Sequence, residues 1–338
     1  VKQIYCTLFD KFYLPRGVLL YRSLKNTGAD FHLYFFAMDD VSLELLNALE
    51  LPQATVIPLQ QLEDDRLKAV KKDRTRAEYC WTCTPASIVY VIENFHVPAC
   101  TYLDADLYFY QDPALLLNEM NEHSILLTEH RFAKKFKRER LAGRFCVQFI
   151  TFKNDSRGLT ALYWWRDRCL EWCYNRYEDG KFGDQKYLDD WPTRFEGVHI
   201  LQHKGGGLAP WNAEQYSVKS RHDNRIVLME DATGHLFEAV FYHFHHVRFF
   251  QNGWVDLGWR FPGTDIITYF YAPYILELQQ VEKELRMLNP EFNLPLPAYA
   301  LIKHDGWKDT VKFWYKKIFR YNLFKTEKII ARYRSCCQ

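Results

Sequence analysis

The sequence predicts a doubly wound α/β fold with a helical C-terminal extension. Three observations predict it. The first sixty residues alternate short apolar runs with helix-period segments, a β-α-β-α-β rhythm. Acidic residues close the apolar runs, at Asp10 and again at Asp104 and Asp106. Beyond about residue 260 the apolar spacing turns helical.

Taken in order, residues 2–8 read as a first strand, with Thr7, Phe9 and Asp10 at its carboxyl end. Pro15-Arg16-Gly17 opens a helix through Leu19, Leu20 and Leu24. A second strand is expected over 31–37, then a helix through Leu43, Leu46 and Leu49, then a strand over 55–58. Residues 61–79 are charged and polar and are expected to cover the site as a helix and loop. A helix over 85–94 leads into a strand at 99–103, and 125–128 forms another strand. The charge run at 133–140 reads as a solvated face or a flap over a diphosphate. A strand follows at 145–152. Leu162, Trp165, Cys169 and Trp172 then mark a helix over 159–175. Asp184-Gln185 is expected to start a helix, and 198–201 to form a strand before Gly205-Gly206-Gly207, where glycine permits close backbone approach. The last expected strand is 236–244, followed by a helix over 274–288 and a proline-broken linker at 290–297. The tail 311–338 holds eight Lys/Arg and one Glu among aromatics; it reads as a basic amphipathic surface segment or a packed terminal helix.

Composition narrows the function. With 338 residues, 48% hydrophobic and 25% charged, the chain is globular rather than disordered. A net charge of +2 argues against nucleic acid as partner. No apolar run reaches the ~20 residues of a membrane span. Nine cysteines is an odd count, so a full set of internal disulfides is excluded. Cys80-x-x-Cys83 and Cys169-x-x-x-Cys173 fall in helical patterns and read as core thiols. Reduced cysteines, and an N-terminus that runs straight into a strand, give the expectation of a cytoplasmic chain without a signal peptide.

The chemistry concentrates at Asp104-Ala105-Asp106. In extended chain, residues two apart leave the same side. Two anions that close disfavour each other unless a cation lies between them. Oxygen donors suit Mg²⁺ or Mn²⁺ better than zinc.

Five separated stretches, Tyr5-Cys6-Thr7-Leu8-Phe9-Asp10, Tyr102-Leu103-Asp104-Ala105-Asp106, Phe182-Gly183-Asp184-Gln185-Lys186-Tyr187-Leu188, Leu208-Ala209-Pro210-Trp211-Asn212 and His243-Phe244, carry a resemblance. Together they resemble the retaining GT-A fold glycosyltransferases of family 8 and related bacterial surface-polysaccharide enzymes. The resemblance implies a GT-A mixed sheet, a nucleotide-sugar-binding catalytic domain over 1–255 and a helical, basic extension over 256–338. It implies Asp104, Asp106 and His243 as ligands of Mn²⁺ or Mg²⁺, with His245 as the alternative to His243. Thr7 and Asp10 would meet uracil and ribose, and Asp104 would also reach the donor. Asp184 and Gln185 would lie beside the anomeric carbon. Arg248 would face the leaving diphosphate, with Lys204 as the alternative cation. Trp211 and Asn212 match a sugar contact or a packing corner. One departure stands out: Cys146 and Gln148 occupy positions where such enzymes often carry Asn-x-Gly, which leaves the donor sugar open. The implied activity is metal-dependent transfer of a sugar from a nucleotide-diphosphate donor, a UDP-sugar above all, to a glycan or glycolipid acceptor with retention. The tail would add a peripheral contact with the inner membrane face. The rival readings are a sugar-1-phosphate nucleotidyltransferase, whose glycine-rich N-terminal loop is missing from residues 6–16, and an inactive sugar-nucleotide-binding scaffold.

Overall fold

Alternation along the first strand creates the two layers of the fold. In β1 (Gln3–Phe9), Tyr5 and Phe9 enter one apolar cluster, while Cys6 and Leu8 enter another. β2 (Phe31–Ala37) repeats the pattern, sending Phe31, Leu33 and Phe35 to the first cluster and Tyr34 and Phe36 to the second. A strand apolar on both sides must lie in the middle of a sheet covered by helices on both faces. The computed structural model describes residues 2–134, 139–250, 253–258, 261–292, 311, 314–316, 318, 319 and 322–336.

The remaining strands of the central region are β3 (Ala54–Pro58), β4 (Ala99–Leu103), β5 (Leu107–Phe109), β6 (Ile125–Glu129), β7 (Phe145–Lys153) and β8 (Val198–Ile200). Seven of these eight strands form one sheet in the order β3-β2-β1-β4-β7-β6-β8. β1 pairs parallel with β2 and β4, and β2 parallel with β3, as the opening rhythm predicts. β7 runs antiparallel between β4 and β6, which makes the sheet mixed. The helices Arg76–Phe95 and Ser156–Glu171 pack on the face that holds Cys6 and Leu8; Leu14–Asn26 and Ala272–Leu288 pack on the other. At Gly17 a Cβ would fall 2.1 Å from Phe9 Cε1, so glycine lets the first helix close onto the end of β1.

Several boundaries differ from expectation. The long helix starts at Arg76, nine residues before Pro85, because Thr75 and Glu78 form a capping box there. The helix expected over 159–175 spans Ser156–Glu171, capped by the Asp155 carboxylate on the Gly158 amide. Residues 236–244 do not make one strand. They split into β11 (Leu236–Glu238) and β12 (Phe241–His243), which pair in different sheets. β11 joins β9 (Tyr216–His222) and β10 (Arg225–Glu230), neither of which was foreseen. β12 pairs antiparallel with β5.

The helical C-terminal part is present, as Thr264–Ile266, Ala272–Leu288 and Thr326–Cys336. It also holds a strand. β13 (Arg248–Phe250), β14 (Trp254–Asp256) and β15 (Leu323–Lys325) form a small antiparallel sheet in which Arg248 stands opposite Asp256. Lys316 donates to both Asp256 carboxylate oxygens, at 2.7 and 2.8 Å, and both partners are buried. Four residues of the expected charge run, 135–138, lie outside the described residues, as do 293–297 of the linker and Lys312, Lys317 and Arg320 of the tail. No described helix is long and apolar enough to cross a membrane.

Candidate active site

β4 ends at Leu103, and the chain turns through Asp104-Ala105-Asp106 into β5. The turn is closed by the Leu107 amide on the Asp104 carbonyl, and the Asp104 amide is tied to the Gln148 carbonyl of β7. Across from this turn, β12 places His243 opposite Leu107, and the Phe244 amide donates to the Asp106 carbonyl at 2.9 Å. His243 Nε2 consequently lies 3.0 Å from Asp106 Oδ1 and 3.7 Å from Asp104 Oδ2. Its Nδ1 donates to Gln148 Oε1 at 2.7 Å. An amide oxygen only accepts, so the proton is fixed on Nδ1 and Nε2 is aimed at the carboxylates.

Burial works against charge on the His243 ring, but the carboxylates of Asp106 and Asp104 win and raise its pKa well above the usual range. Burial also pushes Asp106 up, and His243 pulls it down below an ordinary carboxylate; Asp104 stays raised by burial and by the charge of Asp106. A proton on Nε2 thus does in the free protein what a cation does better. His243 Nε2 lies within about 4 Å of both carboxylates, and mixed O/N donors of this kind suit Mn²⁺ better than Mg²⁺. His245 also belongs to the cluster: one ligand atom each from Asp106, His243 and His245 lie within 4.8 Å of one another. The two histidines weighed as alternatives therefore flank the same carboxylate, His243 buried and His245 exposed.

The glycine loop supports β12. Gly205 accepts from the Val240 and Phe241 amides, and a Cβ on Gly205 would fall 1.9 Å from the Glu238 carbonyl oxygen. Gly207 has φ +102°, open only to glycine without strain. The close approach is to another chain segment. Arg131, itself largely buried, donates to the carbonyls of Leu201, His203 and Gly206 and so fixes the loop's shape.

The other expected residues surround the turn unevenly. Thr7 is buried at the end of β1, and its hydroxyl has no partner among the described residues. Asp10 accepts from the Phe12 amide and pairs with Arg76 Nε at 2.7 Å. Trp211 packs edge-to-face with His243 and His245, at 5.2 and 5.8 Å between centroids, and its Nε1 has no partner among the described residues. Asn212 is committed to the backbone: Nδ2 donates to the His130 and Gly207 carbonyls and Oδ1 accepts from the Ala209 amide. Arg248 is exposed, within electrostatic reach of His245. Lys204 instead pairs with Glu230 at 2.6 Å, against the smaller sheet.

Asp184 and Gln185 do not open an α-helix. A short 3₁₀ turn, Lys186–Asp190, follows them, because Gly183 adopts φ +55° and Gln185 reaches back to the Ala142 carbonyl at 2.6 Å. Asp184 is buried, and its pKa is pushed up to about 8, by desolvation first and then by the charge of Asp104. Residues not singled out also matter here. Arg16 donates to the Val247 carbonyl at 2.7 Å, and its charge stabilises the Asp106 carboxylate. A cation in a helix's first turn opposes the helix dipole, and that anomaly was the available signal.

No protein-family model matches the chain. The uncharacterized protein YfnF of Bacillus subtilis (strain 168) is 33% identical over 302 residues, covering 86% of this chain and 96% of YfnF. The chain belongs to the YfnF–YfnD family. The uncharacterized protein YfnD of the same organism is 31% identical over 295 residues, covering 85% of this chain and 92% of its own length. Among solved structures, this YfnF–YfnD member is similar to the galactosyltransferase LgtC in complex with donor and acceptor sugar analogues. That likeness has a TM-score of 0.52 at 11% identity, over 82% of this chain and 96% of LgtC. Apo mouse xyloside xylosyltransferase 1 gives a TM-score of 0.42 at 15% identity, over 62% and 87% of the two chains. The YfnF–YfnD member has the GT-A fold, with its mixed sheet and flanking helices.

Asp184 gives this site a pH signature. A carboxyl whose folded pKa is raised from 3.8 to about 8 costs stability progressively across that window, because the unfolded chain releases its proton first. In chelator-treated protein, Asp184→Asn is expected to gain melting temperature relative to the native chain as pH rises from about 4 to about 8, and to gain no more above it. A constant offset between the two melting curves across that range contradicts the assignment.

Proposed function

We propose that this chain is a metal-dependent, retaining glycosyltransferase. It moves a sugar from a nucleotide-diphosphate donor, a UDP-sugar, to a glycan or glycolipid acceptor of the bacterial cell surface. The observation that carries the reading is the convergence of Asp104, Asp106 and His243 beyond the carboxyl ends of parallel strands, where open α/β sheets bind ligands. A divalent ion held there would supply positive charge for the diphosphate as it departs.

The chain's own residues do the rest. Thr7 and Asp10, at the end of β1, are assigned to the base and ribose; the Thr7 hydroxyl is buried and has no partner among the described residues. Arg248 adds positive charge on the diphosphate side. Trp211, whose buried Nε1 has no partner among the described residues, is assigned to the sugar side. Asp184 and Gln185 are assigned to the region beneath the donor sugar. There a carboxylate stabilises the positive charge that builds on the ring as the glycosidic bond breaks. Burial first and the charge of Asp104 second hold the Asp184 pKa up at about 8, so a cation that offsets Asp104 favours its ionised form.

Binding and turnover test this reading together. In a thermal-shift panel of UDP-, GDP-, CMP- and ADP-sugars, a UDP-sugar with Mn²⁺ is expected to raise the melting temperature most, by mass action. The shift should vanish with chelator and in Asp106→Ala. NMR of the first-formed product from an α-linked donor should show an α-linkage. A β-linked product, or full turnover in Asp106→Ala, overturns the proposal.

The leaving-group assignment rests on Arg248. Lys204 is engaged by Glu230, so Arg248→Ala is expected to cut turnover about 10- to 1,000-fold while Lys204→Ala stays near native. The reverse result transfers the role to Lys204.

The tail carries the proposed membrane contact. Ile318 and Phe319 are 67% and 66% exposed beside basic residues of the same segment. Basic residues near an anionic bilayer contribute about 1 kcal/mol each. Vesicles with anionic lipid are expected to retain the native chain and to release the double substitution Ile318→Ser, Phe319→Ser. Equal retention removes the membrane role.

A further inference from the structure

The same turn gathers a donor that oxygen-based metal chemistry does not require. Cys146 and Gln148 lie two apart on β7 and leave the same face of the strand. Gln148 takes the Nδ1 side of His243, as described. Cys146 stands beside the same ring: one ligand atom each from Asp104, Cys146 and His243 lie within 4.8 Å of one another. Bonds of about 2.0–2.3 Å to one ion span up to about 4.6 Å across it, so small side-chain adjustments bring all three onto a single cation. Cys146 is 5% exposed, walled by Phe132, Ala209 and Trp211. Apolar side chains shield the sulfur from water, and Asp104 and His243 are its polar neighbours.

We propose that Cys146 Sγ is a further ligand of the cation held by Asp104, Asp106 and His243, and that this sulfur selects Zn²⁺, Co²⁺ and Mn²⁺ over Mg²⁺. The inference rests on the reading that a divalent cation binds at this turn, and it adds what decides the ion. On binding, the thiol S–H bond breaks, the proton leaves to solvent and a sulfur–metal bond forms; no electron is transferred. Thiolate is a soft donor that Mg²⁺ accepts poorly, whereas an amide oxygen in its place would be indifferent. The residue that departs from the family pattern is thus the one that sets metal preference, at the edge of the cleft assigned to the donor.

The test uses the full chain, stripped with chelator, kept reduced and titrated with Co²⁺ alone. At one equivalent, the native protein is expected to show a sulfur-to-cobalt charge-transfer band in the near ultraviolet together with visible d–d bands. Cys146→Ser and Cys146→Asn are expected to lose the charge-transfer band and keep the d–d bands, while Cys336→Ser, at the exposed thiol, keeps both. In competition titrations the preference for Zn²⁺ over Mg²⁺ is expected to fall about tenfold or more in Cys146→Asn. Cobalt bound to the native chain without a charge-transfer band, or a band that survives in Cys146→Ser, overturns the role of Cys146 and leaves the metal site standing. No cobalt binding at all overturns both. Should the substituted chains fail to fold, the native spectrum still decides, and so does alkylation of Cys146 followed by mass spectrometry. Zn²⁺ is expected to slow that modification, and an unchanged rate overturns the proposal.

Discussion

The pairing of β5 with β12 is the constraint on which the rest of the site depends. Three residues on each side fix one register, and that register sets His243 against Leu107 with the Phe244 amide on the Asp106 carbonyl. A slip of one residue would turn the imidazole to the opposite face and leave the buried Asp106 carboxylate and the half-buried Asp104 carboxylate without it. Such a pair, unrelieved, is costly in a low-dielectric interior. The register is held by the glycine loop behind it, which accepts the Val240 and Phe241 amides and receives Leu208 alongside Tyr242. Arg131 in turn braces the loop. The chain from Leu201 to Phe244 is best seen as a frame whose product is the position of one nitrogen atom.

The carboxylate half of the site was legible in the sequence. An apolar run ending in Asp104-Ala105-Asp106 says that two anions meet at a strand end. The parallel strands β1 to β4 followed from local periodicity for the same reason. His243 was reached through resemblance alone, since nothing local ties it to residues far upstream. Gln148, Cys146 and Arg16 were not read as site residues. The first two act there because β7 enters the sheet antiparallel between β4 and β6, a pairing that no pattern within 145–153 specifies. Asn212 shows the converse. Its place in the motif suggested a sugar contact or a packing corner, and its amide, occupied by three backbone groups, takes the second role. The strands β9 and β10 were missed because they are partly exposed and rich in polar residues, and β13, β14 and β15 because they are only three residues long.

Electrostatics inside the cleft is organised as opposition. Burial disfavours charge on the titratable groups there; Asp106 is restored by His243 and Arg16, and His243 by the two aspartates, while Asp104 stays raised and His245 lowered. Asp184 lacks such a partner among the described residues and is the carboxyl left neutral. A site so balanced responds as a unit when one charge is added, which is the behaviour a cation-dependent reaction needs.

The small sheet β13-β14-β15 has a consequence for biosynthesis. Arg248 lies on its first strand, Asp256 opposite, and both the third strand and Lys316 come from a part of the chain more than fifty residues later. A ribosome delivers residues in order. During translation the seven-stranded sheet and the aspartate turn emerge while Asp256 still lacks its buried counter-ion and β14 still has an open edge. The sheet that carries Arg248 is therefore completed only after Lys316 and β15 have emerged, later than the aspartate turn.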